Sequence, residues 1–288
     1  MNLVGLMTVR NEQAFIGLSA RVALRWCDRL VILDHASADA TPAILALLRA
    51  EFGERVTLLH EPDATWAEMS HRQRTLEAAR DLGATHCAII DADEVLTGNM
   101  LAWIRAEIES LSPAQLLQIP MRNMWRAIDY YRSDRSVFGC MALTTVAFAD
   151  AQRLCWQDTN GYPHHHREPH GARLAKRYYW QQVDGGVMHL QFSNWRRLVA
   201  KQSWYQCMER VRFQQKPVSE IAGLYSRAMD ESGIETTCAT ADWWREYTEI
   251  MHHLNLDLVP WYEHEIDRMF RDHGADYFAG LNLRYRPS

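Results

Sequence analysis

The stretch Cys87-Ala88-Ile89-Ile90-Asp91-Ala92-Asp93-Glu94 decides how the chain is read. Its first half is a short apolar run that suits a buried strand, and that run leads straight into three carboxylates within four positions. At a strand-to-loop turn, Asp91 and Asp93 can converge on one small volume. Paired carboxylates there suit a hard divalent cation, Mg²⁺ or Mn²⁺, held by oxygen ligands. Such an ion keeps part of its shell for substrate phosphates. It compensates the negative charge that builds on a diphosphate as the bond to it breaks. The competing reading is a solvated acidic turn that caps the helix near Met100.

Upstream, the pattern alternates. Leu3 to Val9, Arg29 to Leu33 and Arg55 to Leu59 are short apolar runs, read as strands. Helical spacing separates them: Phe15 to Trp26, a helix opened by Thr41-Pro42 with Thr41 as N-cap, and Glu68 to Arg80, which stops near Gly83. The order is β-α-β-α-β-α-β. Strands alternating with helices predict a mostly parallel sheet covered on both faces. Ligands in such sheets sit beyond the carboxyl ends of the strands. Three polar clusters stand at those ends: Arg10 to Glu12, Asp34 to Asp39, and Asp91 to Glu94.

Downstream, Met100 to Leu111 reads as a helix, Leu116 to Pro120 as a strand, and Cys140 to Ala149 as holding another. Asp158 to Lys176 is polar and histidine-rich. Gly185-Gly186 leads into a strand at Val187 to Leu190, and Trp195 to Gln215 has helical spacing. Roughly the last 70 residues read as mainly helical. With 288 residues, 48% hydrophobic and 23% charged, the chain can bury a large core without disulfides or metals. A net charge of -5 argues against a nucleic-acid partner. No apolar run approaches about 18 residues, so no membrane span is expected, and a peripheral membrane contact stays open. Met1 to Met7 does not look like a signal peptide, and the six cysteines read as reduced, which suits the cytoplasm.

In this order and setting, four motifs resemble the family 2 glycosyltransferases, which have the GT-A fold and use nucleotide-diphosphate sugars. Val9-Arg10-Asn11-Glu12 resembles the first motif, which lies against the nucleotide. Ile32 to Thr41 resembles the second, with Asp34 where the family has its base- or ribose-binding aspartate. The helix holding Arg72 and Glu77-Ala78-Ala79 resembles a third element, whose arginine approaches the nucleotide; Gln73 stands there in place of the usual Asn. Ile90-Asp91-Ala92-Asp93-Glu94 resembles the metal motif, in which the first aspartate faces the ribose and the last binds the cation. The resemblance covers about residues 3–120. The family's glycine positions are Ala36 and Ala40 here, and neither is expected to need a left-handed backbone. The later acidic pair that often supplies the base has no clear match.

The resemblance implies a GT-A-type three-layer α/β/α sandwich with a mostly parallel sheet and a helical C-terminal portion. Residues 1–120 would hold the donor, 121–215 the acceptor and catalysis, and 216–288 would be a helical extension. It implies a metal-dependent transfer of sugar to a glycan or other hydroxyl acceptor, of inverting type. Such a reaction needs a base, for which Asp184, then Asp158 and Glu168, are the candidates. His189 is a candidate third metal ligand beside Asp91 and Asp93. Arg196, Arg197 and Lys201 would face the diphosphate. His164, His165, His166 and His170 suit a loop that closes over substrate better than a zinc site. Trp125, Trp156, Trp180, Trp195 and Trp204 are candidates to stack on a sugar, against a plain core role. Tyr178-Tyr179-Trp180 is the densest aromatic group, and a homo-oligomer is allowed for. The rival readings are a nucleotidyltransferase on a similar sheet and a non-catalytic carbohydrate-binding protein.

Overall fold

Strand β1 (Leu3–Val9) sends Leu3, Met7 and Val9 into one buried layer and Val4 and Leu6 into another. β2 (Arg29–His35) divides likewise, Leu30 and Ile32 against Val31. A strand buried on both faces needs cover above and below, and this partition sets the architecture. Helices α1 (Ile16–Trp26) and α2 (Thr41–Phe52) cover the first face, through residues such as Ile16, Ala20, Leu45 and Leu48. α3 (Glu68–Asp81) covers the second with Met69, Leu76 and Ala79. α4 (Leu101–Glu109) joins the first layer through Ile104 and Ile108. The computed structural model describes residues 1–157, 167–181 and 183–287.

The remaining strands of the sheet are β3 (Val56–Glu61), β4 (His86–Ile89), β5 (Glu94–Leu96), β6 (Gln115–Asn123), β8 (Leu143–Ala149), β9 (Arg173–Arg177) and β10 (Val187–His189), with β7 (Tyr130–Arg132) lying apart. Their order is β3-β2-β1-β4-β8-β6-β10-β5, with β9 beside β6. Pairings among β3, β2, β1 and β4 are parallel, as are those of β6 with β9 and β10. β8 runs antiparallel between β4 and β6, and β5 antiparallel to β10. The result is the expected three-layer α/β/α sandwich of GT-A type, its four leading strands side by side in one sheet.

Two local expectations are corrected. Thr41 is the first residue of α2 rather than its cap; Asp39 Oδ1 accepts from its N–H at 2.8 Å, and Thr41 Oγ1 accepts from Glu12 N at 3.0 Å. Ala36 does adopt a left-handed backbone, φ 47°, where the chain leaves β2 and its N–H donates to Glu61 O. Ala40 remains at φ -75°.

The C-terminal portion is mainly helical, as expected: α5 (Trp195–Arg212), α6 (Val218–Ser226), α7 (Ala241–Trp244) and α8 (Trp261–His273), with a short strand β11 (Thr236–Cys238) paired to β7. α5, α6 and α8 share a core built on Trp204, Tyr225, Tyr262 and Ile266, against which Trp66 from the sheet side packs. That contact brings the helical portion over the carboxyl ends of the leading strands. No helix among the described residues is long and apolar enough to cross a membrane.

Candidate active site

A cavity of about 440 Å³ lies where β1, β2 and β4 end. Thr8, Val9 and Arg10 continue β1 into it, His35 comes from β2, and Asp91, Ala92 and Asp93 follow β4. α3 contributes Glu68, His71 and Arg72; α5 contributes Lys201, Trp204 and Tyr205; α8 contributes Trp261 and Tyr262. All three segments of the chain line it, so the helical extension is part of the wall.

The acidic turn is tightly built. Glu94 N donates to Asp91 O, and Asp91 N donates to Glu94 Oε2 at 3.0 Å. Ser19 Oγ donates to Ala92 O at 2.7 Å, and Leu190 N to Asp93 O at 2.8 Å. The two aspartates then part company. Asp91 Oδ1 is 3.2 Å from Arg72 Nη2, and Asp91 Oδ2 accepts from Arg167 Nη1 at 2.8 Å. Burial pushes this carboxyl up, but Arg167 and Arg72 outweigh it and hold it below its ordinary value. Both Asp91 oxygens thus face guanidinium groups, while the residue lines the cavity.

Asp93 is 5% exposed. Its Oδ1 stands 3.7 Å from His189 Nε2 and its Oδ2 3.4 Å from Lys201 Nζ. Burial again pushes the carboxyl up, and Lys201 with His189 draws it far below the ordinary range. His189 ends β10 directly opposite Glu94 of β5, so register places it against the acidic turn. Nε2 and Oδ1 at this separation can share one cation. Among the described residues no group of three or more His, Cys, Asp or Glu gathers around such an ion. A cation placed between Asp93 and His189 would meet two protein ligands, which would leave most of an octahedral shell to phosphate and water.

The other expected residues divide. Arg72 lines the cavity on α3, also pairing with Glu68 Oε1 at 2.9 Å. Lys201 lines it too, 3.8 Å from Glu12 Oε1. Glu12 is committed to a buried network: Arg197 Nη2 donates to its Oε2, and Tyr262 Oη to its Oε1 at 3.3 Å. Arg197 is spent there, packed against Phe15 and Tyr262, and Arg196 turns outward to Glu263 at 2.7 Å. Neither lines the cavity. Asn11 does not line it either. Its N–H donates to Ser37 Oγ and its Oδ1 accepts from Ala38 N, pinning the β2–α2 loop to the end of β1. Asp34 is buried one residue before cavity-lining His35; Oδ2 is 3.6 Å from His60 Nδ1, and Oδ1 has no hydrogen-bond partner among the described residues.

Two of the expected bases, Asp184 and Glu168, lie outside the cavity lining. Asp184 is exposed and lies outside the cavity lining; its Oδ1 accepts from Trp243 Nε1 at 3.3 Å and its carbonyl from Asn99. Glu168 Oε1 accepts from Thr145 Oγ1 at 2.5 Å, again outside the lining. Asp158, His164, His165 and His166 lie outside the described residues. Of the five tryptophans, Trp204 alone lines the cavity; Trp125 and Trp156 are core, Trp195 packs on Trp125, and Trp180 is exposed.

Sequence reasoning missed Arg167, whose Nη1 and Nη2 grip Glu94 as well as Asp91 and whose Nη2 also donates to Ile89 O. It missed Trp66, Trp261 and Tyr262 in the wall. No local pattern marks these residues, since each arrives by tertiary docking.

No family model matches the chain, and no curated protein matches it. Among solved structures it is similar to S. aureus TarS 1-349 in complex with UDP, at 13% identity and TM-score 0.39, over 99% of this chain and 76% of that one. The match to TarS 1-349 in complex with UDP-GlcNAc has 18% identity and TM-score 0.37 over 43% of this chain. There, and in the match to S. aureus TarS 1-349, the chain spans 35% and 36% of that chain. A third similarity is to 4-diphosphocytidyl-2C-methyl-D-erythritol synthase, at 13% identity and TM-score 0.34, over 51% and 74% of the two chains. These likenesses are too remote to carry an argument, and function has to be read from the site.

Proposed function

We propose that the protein is a nucleotide-sugar-dependent glycosyltransferase, passing sugar from a nucleotide-diphosphate donor to a hydroxyl acceptor. The observation that carries this reading is Asp93 at the end of the parallel strands, flanked by the His189 imidazole and the Lys201 ammonium on one cavity. Mn²⁺ or Mg²⁺ held by Asp93 and His189 would supply charge compensation to the leaving diphosphate. Lys201 and Arg72 add positive charge to the same wall. His35, His71 and Trp66 offer flat rings where β2 ends, suited to a nucleobase, and Trp204, Trp261 and Tyr262 exclude water above them. The acceptor's proton would go to a carboxylate of the wall that neither the cation nor Arg197 occupies, and Glu68 and Asp91 stand there.

A thermal-shift panel of nucleotide-diphosphate sugars, run with Mn²⁺ and with EDTA, tests this. A donor at about 100 times its Kd adds roughly 2.7 kcal/mol, a rise of about 5 °C in a chain of this size. The expected result is a rise for at least one donor with Mn²⁺, lost in Asp93→Asn, with sugar transfer nearly abolished in that variant. A panel without any Mn²⁺-dependent rise, or an Asp93→Asn protein that keeps it, rejects the reading.

A further inference from the structure

His189 can serve a cation through Nε2 only if its ring proton sits on Nδ1, and the chain contains a device that decides this. Asn123 of β6 stands directly beside His189 in the parallel pairing of β6 with β10. It is 2% exposed. Its Nδ2 donates to Phe138 O at 2.7 Å, and its Oδ1 lies 2.8 Å from His189 Nδ1. A backbone carbonyl can only accept, so the Phe138 contact fixes which end of the amide faces which neighbour. The oxygen must face the imidazole. An oxygen there can only accept, so Nδ1 must carry the hydrogen. Nε2 is left as a lone pair in the neutral ring, turned toward Asp93 Oδ1 at 3.7 Å. Without a cation or a proton between them, a lone pair and a buried carboxylate repel.

The surroundings hold the ring to that task. The edge of Phe192 meets it at 5.5 Å between centroids, and Met124 N donates to His189 O at 3.1 Å. Leu190 N, the next residue, donates to Asp93 O, so ligand and carboxylate are tied through the backbone as well.

We propose that Asn123 is a positioning residue: held by the Phe138 carbonyl, it keeps the proton on His189 Nδ1 and presents Nε2 to the volume beside Asp93. This rests on the metal-assisted reading of the same site. Phe138 also lines the cavity, so the segment that forms part of the substrate wall sets the ligand's tautomer. Outer partners of this kind commonly change metal affinity 10–100-fold when removed.

Two measurements on the full chain test it. The first is ¹⁵N NMR of the His189 ring without metal, with the pH raised until the ring nitrogens report the neutral form. Wild type and Asn123→Asp, which keeps the accepting oxygen, should show hydrogen on Nδ1, and Asn123→Ala a mixture or the reverse. The second is Mn²⁺ titration followed by EPR. Asn123→Ala should bind about 10–100-fold more weakly and Asn123→Asp within a few-fold of wild type. In a His189→Ala background, Asn123→Ala should cost nothing further, which separates positioning from general destabilisation. Hydrogen on Nε2 in wild type, or unchanged Mn²⁺ affinity in Asn123→Ala, overturns the proposal. A wild-type ring with hydrogen on Nδ1 in a protein that binds no Mn²⁺ supports the Asn123 assignment and overturns the metal reading instead.

Discussion

Replacing Lys201 by Met should destabilise the protein substantially and at the same time make Mn²⁺ count for more. Lys201 Nζ lies 3.4 Å from Asp93 Oδ2 and 3.8 Å from Glu12 Oε1, and all three side chains are about nine-tenths buried. At an effective dielectric of about 20 the two attractions are each roughly 4–5 kcal/mol in gross terms. Burial of the ammonium offsets much of this. The carboxylates of Asp93 and Glu12 nevertheless outweigh burial and hold Lys201 charged above its ordinary range. Truncating one partner of a buried pair leaves the other charge uncompensated, at a cost of about 3–5 kcal/mol. Arg197 still serves Glu12 and His189 still flanks Asp93, so we expect roughly 2–4 kcal/mol. Methionine keeps the length of the stem, which limits the packing loss.

Urea unfolding in EDTA reads this as a lower midpoint at unchanged slope. Repeating it with Mn²⁺ separates the roles. A divalent ion on Asp93 shares its carboxylate with the ammonium in wild type and has it alone in Lys201→Met. Mn²⁺ should therefore recover more stability in the variant. A variant within about 1 kcal/mol of wild type in EDTA would show that Lys201 does not compensate these carboxylates. Equal gains from Mn²⁺ in both proteins would show that the ion does not share Asp93.

Ala36→Gly should stabilise the fold by about 1 kcal/mol, because Ala36 sits at φ 47°, a backbone region that costs an L side chain but not glycine; a destabilised variant in urea melts contradicts this. His35 gives a pH dependence. Burial, then His71 and Arg10, push its imidazole down to about 4. The unfolded chain therefore takes up a proton from about pH 6.5 downward that the native chain refuses until about pH 4, and stability falls as pH drops through that window, by roughly 2–3 kcal/mol at most. His35→Gln should flatten the fall, and an unchanged pH profile rejects the assignment.

The fold was legible because β1, β2 and β4 carry continuous apolar runs with punctuation between them, and such runs have few other uses. Asp93, His189 and Lys201 were legible from place and type: a carboxylate after a strand, an imidazole ending another, a cation one turn beyond a basic pair. Glu12 does line the cavity, but its partner Arg197 lies 185 positions away. Nothing local says that the charge is already spent. Asp184 was misread for a different reason. Gly185-Gly186 looked like a turn aiming a carboxylate into a cleft. In the fold the glycines permit close approach: a Cβ on Gly186 would lie 2.2 Å from Pro120 O, and one on Gly185 2.4 Å from Thr97 Oγ1. The pair lets β10 slot between β6 and β5, and Asp184 stays outside the cavity lining.

The ion pairs around the cavity bear on how the proposed donor would bind. Two sets of ion pairs surround the acidic turn: Glu12 and Asp93 with Arg197 and Lys201, and Glu68, Asp91 and Glu94 with Arg72 and Arg167, which leaves one carboxylate in excess. A wall this close to balance gives a bare diphosphate no net attraction, and a bare divalent cation only a little. A cation and a diphosphate that arrive together bring compensating charge and disturb the balance least. Each should therefore strengthen the binding of the other, by the same factor in both directions. That is why the donor panel is read with and without Mn²⁺: a donor that stabilises the protein equally in EDTA would mean that Lys201 and the arginines are released to the phosphates. The internal pairing of the acidic turn would then be a resting state broken on binding rather than a finished, balanced wall.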